Sequence, residues 1–198
     1  MQKQNIEQIT IGDKQYTLYI APYNIENIDI DKILDISKEI QKDTGVLTQL
    51  LDISYIAGKR HVLHSTINAL ITFENKENLA KHKNLEIMLY VTAQRQIQKA
   101  IKLVGISEHT KVAILILQAE DIKRIQQARE KIEHIIGTPD NTLWNINKEI
   151  RAQNIITHFE ITDEEIQIIS EIYNHSEILD TLQEAIMGRI ALTKFKTG

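Results

Sequence analysis

Two histidines three residues apart, His61 and His64, form the closest pair of side chains with obvious chemistry. They lie in the run Lys59-Arg60-His61-Val62-Leu63-His64. On a helix they would share a face, as two metal ligands must. No carboxylate stands in that turn as a third ligand or base, and Lys59 and Arg60 repel a cation, so no metal is expected. The same groups near a predicted helix N-terminus suit an anion or an RNA backbone, because unpaired backbone N–H groups favour negative charge there. The plain alternative is one half-buried and one surface histidine. A second polar cluster, Gln94-Arg95-Gln96, follows an apolar run and opens a predicted helix. Such junctions often carry function because the scaffold beneath is rigid, although this is also ordinary helix-start surface. If both clusters share one side of the molecule, they make a basic patch able to hold a few phosphates. A third feature is the stripe Ile178, Leu179, Leu182, Ile186, Ile190 and Leu192, with Met187 beside it. It is either core packing or, in part, a face that docks a partner helix. Trp144 reads as a core lid rather than a base-stacking platform, and His109, His134, His158 and His175 are isolated.

What is missing narrows the chemistry further. The seven glycines stand at 12, 45, 58, 105, 137, 188 and 198. The P-loop and the dinucleotide fingerprint both need clustered glycines, so nucleotide binding by those routes is excluded. There is no Gly-x-Ser-x-Gly elbow and no kinase-type Asp motif. With no cysteine there is no thiol nucleophile, disulfide or Cys-based metal site. No cofactor is expected. The net charge of -4 leaves room for a local basic patch only, and 5% aromatic residues are too few for a broad base-stacking sheet. No stretch approaches the roughly 20 apolar residues of a membrane span, and a cytoplasmic protein without membrane partners is expected.

The elements that must position these groups read as one α+β domain over 1–198, a mixed or antiparallel sheet packed with helices. Residues 6–20 alternate apolar and polar around Gly12-Asp13, a β-hairpin. Residues 29–43 show helical spacing and stop at Gly45. Residues 47–57 are apolar and ambiguous. A helix is predicted after Gly58, then a charged loop over 75–84. Leu85–Thr92 is short, continuous and apolar, as for a strand buried on both faces, and a helix over 94–104 follows. Residues 111–118 predict a second buried strand, and Asp121–Ile136 a helix ended by Gly137-Thr138-Pro139. Within 140–161, LWNI and IITHFEI suggest short strands. Thr162 with Glu165 is a capping box. Ser176 caps a last helix from Glu177 to about Leu192, before a basic tail.

Two of these blocks carry a resemblance. KRHVLHSTINA at 59–69 and LEIMLYVTAQRQIQKAIKLVGI at 85–106 resemble the small kinase-binding subunit of the KEOPS complex, the TPRKB / CGI-type family. GRIALTKF at 188–195 resembles the family's final helix. Ala93 stands where the family usually has Gly, and 20–46 and 138–158 look like insertions. The resemblance implies a non-enzymatic accessory subunit of the complex that makes threonylcarbamoyladenosine in tRNA. Its implied partners are the kinase-like ATPase subunit of the PRPK type and the 3' CCA end of tRNA, with the transferase and dimerising subunits reached indirectly. On that footing Lys59, Arg60, His61, His64, Gln94, Arg95 and Gln96 are expected at the RNA. The cations would neutralise phosphates, one imidazole would meet a terminal base, and the glutamines would read base or ribose edges. Leu182, Ile186 and Ile190 are expected at the kinase. The competing expectation is a stand-alone RNA-processing enzyme using His61 and His64.

Overall fold

A computed structural model describes residues 5–193; the basic tail and the end of GRIALTKF lie outside the described residues. The strands are β1 (Ile6–Ile11), β2 (Lys14–Asn24), β3 (Leu47–Asp52) and β4 (Val112–Ala119). The helices are α1 (Ile30–Thr44), α2 (Lys59–Glu74), α3 (Lys83–Val91), α4 (Ile97–Val104), α5 (Ile122–Ile136), α6 (Lys148–Phe159), α7 (Asp163–Tyr173) and α8 (Ile178–Thr193). The fold is α+β, as the sequence predicts. It comprises two compact units, one built from the chain up to Asp52 and from Gly105–Leu143, the other from Ile53–Val104 and from Trp144 onward.

The first unit holds the sheet. Its order is β1-β2-β4-β3, antiparallel throughout. Gly12 turns the β1–β2 hairpin with φ +58°, the positive value that a two-residue turn asks of its first residue. Strand β4 is buried along its whole length, which explains why its sequence does not alternate. Helices α1 and α5 cover one face, setting Ile33, Ile40, Ile125 and Ile132 against Tyr19, Tyr23, Leu50, Leu115 and Leu117. Asp29 caps α1 by accepting from Asp31 N at 2.9 Å, and Gly45 ends it in the left-handed region with φ +68°. Asp121 caps α5 in the same way, from Lys123 N at 2.8 Å. At the edge of this core the Tyr19 and Tyr23 hydroxyls pair at 2.8 Å and Tyr23 donates to Glu133 at 2.7 Å. Arg129 binds the same carboxylate at 2.7 Å and lies over the Tyr19 ring. Burial raises the pKa of both tyrosines.

The second unit is helical, and two expectations fail in it. Leu85–Thr92 is not a strand: Lys83–Val91 form α3. A short apolar run cannot distinguish a strand from a helix buried on all sides, and α3 is the latter, with even Glu86 buried. Nor do 140–161 hold strands. Asn141–Asn145 is a 3-10 turn and Lys148–Phe159 is α6, whose buried residues Ala152, Ile155 and Phe159 follow helical spacing. The ambiguous 47–57 run splits into β3 and a 3-10 turn at Ile53–Tyr55. The capping box at Thr162 forms on its hydroxyl side, Thr162 accepting from Glu165 N at 3.2 Å.

Candidate functional site

The Gln94-Arg95-Gln96 segment leaves α3 through a Schellman turn. Gln94 N donates to Leu89 O at 2.9 Å and Ala93 N to Tyr90 O at 3.2 Å. Ala93 takes the left-handed position, φ +47°, where a glycine would sit without strain. The turn presents Gln94 half-buried and Arg95 and Gln96 exposed, and α4 then sets Lys99 and Lys102 on successive turns.

Beside this segment stands the last turn of α6. His158 Nε2 lies 2.9 Å from Thr92 O, and because a carbonyl oxygen only accepts, Nε2 is the donor. Tyr55 and Phe159 meet His158 edge-on, at ring distances of 5.7 and 4.7 Å. Two hollows share Gln94 and His158 as common walls. One, of about 300 Å³, is lined by Thr92, Ala93, Gln94, Arg95, His158, Phe159, Glu160, Arg189 and Leu192. The other, of about 380 Å³, is lined by Tyr55, Gln94, Lys99, Lys102, Leu103 and His158. Arg189 is already engaged in holding the structure. It closes α6 by donating to Phe159 O at 2.6 Å and Glu160 O at 3.1 Å, and grips both Glu165 oxygens at 2.6 and 2.8 Å. That pairing lowers the Glu165 pKa and raises that of Arg189. The cleft therefore combines cations, an amide and aromatic edges, which suits a ligand with phosphate and planar parts.

The histidine pair does not join this cleft as expected. His61 is fully buried, its Nδ1 accepting from Ala57 N at 3.2 Å and its Nε2 facing Val91 O at 2.9 Å. Burial pushes its pKa down to about 4, keeping it neutral. His61 is corrected to a structural residue, because both ring nitrogens are spent on backbone groups and the ring never meets solvent; it can neither touch RNA nor relay a proton for a substrate. His64 is half-buried, its pKa lowered by burial and then by Arg60. Lys59 and Arg60 begin α2, where Arg60 pairs with Glu184 and its backbone N donates to Gln183 Oε1 at 3.1 Å. Gly58 just before them permits this approach: a Cβ there would come within 2.5 Å of the Gln183 amide.

Leu182, Ile186 and Ile190 are also corrected. All three are fully buried, since α8 is enclosed by α2, α6 and α7 and buries Thr181 and Gln183 as well. The apolar stripe of α8 is thus the face that packs into the bundle, not one left at its surface. Sequence reasoning missed Tyr55, His158, Lys99 and Lys102. The two lysines sit one and two turns after Arg95 and were within its reach. Nothing in the sequence joins His158 to Gln94. Among the described residues no three histidine, aspartate or glutamate side chains gather where they could hold a metal ion, and no helix is long and apolar enough to cross a membrane.

Comparison with known proteins gives the class. The family described as kinase binding protein CGI-121 matches residues 24–194, and the chain belongs to that family. It is similar to the regulatory protein Cgi121 of Methanocaldococcus jannaschii, with 30% identity over 105 residues. That match takes in 53% of this chain and 65% of the relative, so the chain spans about two-thirds of that protein's length.

Proposed function

We propose that the chain is a non-catalytic accessory subunit of a KEOPS-type complex for tRNA threonylcarbamoyladenosine formation, binding the kinase-like ATPase subunit and holding the 3' CCA end of tRNA. Family membership supports the kinase half. The observation that carries the RNA half is the pair of hollows joined at Gln94 and His158. In this reading Arg95, Lys99 and Lys102 neutralise phosphates, Gln94 and Gln96 read base or ribose edges, and His158 with Tyr55 borders an unstacked base. Lys59, Arg60 and His64, at the start of α2 and outside the cleft lining, form a second contact with the same RNA, Arg60 exchanging Glu184 for a phosphate. The transferase and dimerising subunits are reached through the kinase, in the cytoplasm.

The test is a fluorescence anisotropy titration with one tRNA, intact and lacking its CCA end, at two salt concentrations. Binding should need the CCA end and weaken with salt. Lys102→Ala and Arg95→Glu should each lower affinity. Each should also reduce the slope of log affinity against log salt, by roughly 0.7 for every single-strand phosphate no longer neutralised. Equal binding of the two tRNAs would remove the cleft from the RNA site.

A further inference from the structure

Helix α7 is built differently from its neighbours. None of its residues is buried, yet both of its ends are tied down. At the start, the Thr162–Glu165 box and the two-pronged grip of Arg189 on Glu165 hold the first turn. At the end, Asn174 closes the helix in the left-handed region with φ +53°, and His175 N donates to Ser170 O at 3.1 Å. The Tyr173 ring then stacks on His175, with centroids 5.7 Å apart and planes 11° from parallel. Between these anchors Ile168, Ile172 and Tyr173 stand 56%, 69% and 55% exposed. Single exposed apolar residues are ordinary, but three together on one rigid helix are not. Spacing puts Glu164, Ile168 and Ile172 in one i, i+4 row with Glu171 beside it, and α7 contains no lysine or arginine.

We infer that this face of α7 is a protein-docking surface, and that its occupant is an apolar groove rimmed by lysine and arginine on the kinase-like subunit. The inference rests on the kinase half of the proposed function and supplies what Leu182, Ile186 and Ile190 cannot, an apolar row open to a partner. The acidic flank selects the partner's rim: a basic border is drawn in by Glu164 and Glu171, and an acidic one is repelled. Because the anchors fix α7 before binding, little ordering cost remains to be met on docking.

The experiment is a calorimetric titration of the full chain with the purified kinase-like subunit encoded in the same genome, paired with sedimentation of each protein alone. Ile172→Glu should weaken binding at least tenfold with unchanged circular dichroism and melting temperature, since the residue is exposed; Ile168→Ser provides a second, milder variant. Glu164→Lys with Glu171→Lys should weaken binding severalfold and flatten its salt dependence, whereas Ile101→Glu, exposed on α4, should leave it intact. Wild-type affinity in Ile172→Glu and Ile168→Ser overturns the α7 assignment while leaving the kinase role standing. No binding by the wild-type chain overturns the kinase role and the assignment together. A dimer of the chain alone that Ile172→Glu splits would give the face to a second copy and overturn the kinase groove as occupant.

Discussion

The two compact units solve the same problem, the buried backbone polar group, by different means. In the sheet unit the strand ladders satisfy their own amides and carbonyls, so the interior beside α1 and α5 is hydrocarbon and the Tyr19–Tyr23–Glu133–Arg129 chain stays at its edge. The helical unit is cut by irregular connections whose backbone groups have no ladder. There, buried side chains take over. Arg151, almost fully buried, donates to the carbonyls of Ile56, Trp144 and Ile146. Glu86 accepts from Leu79 N at 3.0 Å and Ala80 N at 2.7 Å. His61 serves Ala57 and Val91, and His158 serves Thr92. A polar side chain in the helical unit is therefore first suspected of holding a loop, and only those with surface left over, such as His158 beside Gln94, are available to a ligand.

The sharpest way to break this contrast is to remove one polar group from each unit. Arg151→Met strands three carbonyls and should cost about 3 kcal/mol or more, since each unsatisfied buried group costs roughly 1–3 kcal/mol. Tyr23→Phe deletes one hydroxyl whose partner Glu133 keeps Arg129, and should cost about 1 kcal/mol. Urea unfolding measures both, and equal losses would dissolve the distinction. The next effect is a pH dependence. The folded His61 pKa of about 4 lies below its unfolded value of about 6.5, so the unfolded chain binds the extra proton between them. Stability from this group is complete above pH 6.5 and falls as pH drops toward 4, by on the order of 3 kcal/mol in total. His61→Gln should flatten the curve in that window, and a wild-type stability constant from pH 6.5 to 4.5 would contradict the buried neutral ring. The smallest effect should come from Ala93→Gly, which relieves a left-handed alanine and should stabilise by about 1 kcal/mol, with the Schellman turn and RNA affinity retained. A loss of stability would mean that the alanine side chain does more than occupy that position.

The same contrast explains what could be read in advance. The hairpin around Gly12, the cap at Thr162, the stop at Gly45 and the spacing of α1 and α5 follow local rules, and all are legible. Leu85–Thr92 misleads because burial on all sides erases the period that separates a strand from a helix. Gln94 and Arg95 are legible as a polar break after an apolar run, but the cleft is not, because His158 reaches it from 64 residues further along the chain. His61 misleads for a deeper reason: a sequence displays its polar side chains but not the loop amides and carbonyls that will claim them.

The order β1-β2-β4-β3 also has a consequence for the growing polypeptide on the ribosome. Among the described residues β3 pairs with β4 alone, and β2 needs β4 on its second edge. Asp52 is made well before Ala119, and the intervening residues belong mostly to the other unit. At roughly 5–20 residues per second the nascent chain carries two open apolar strand edges for about 3–13 s. A lone hairpin such as β1–β2 is marginal in water, so it does not shield them. The interval makes this stretch a natural client for a holding chaperone, and slow codons between 53 and 111 should lower the yield of native protein more than the same codons placed after 119.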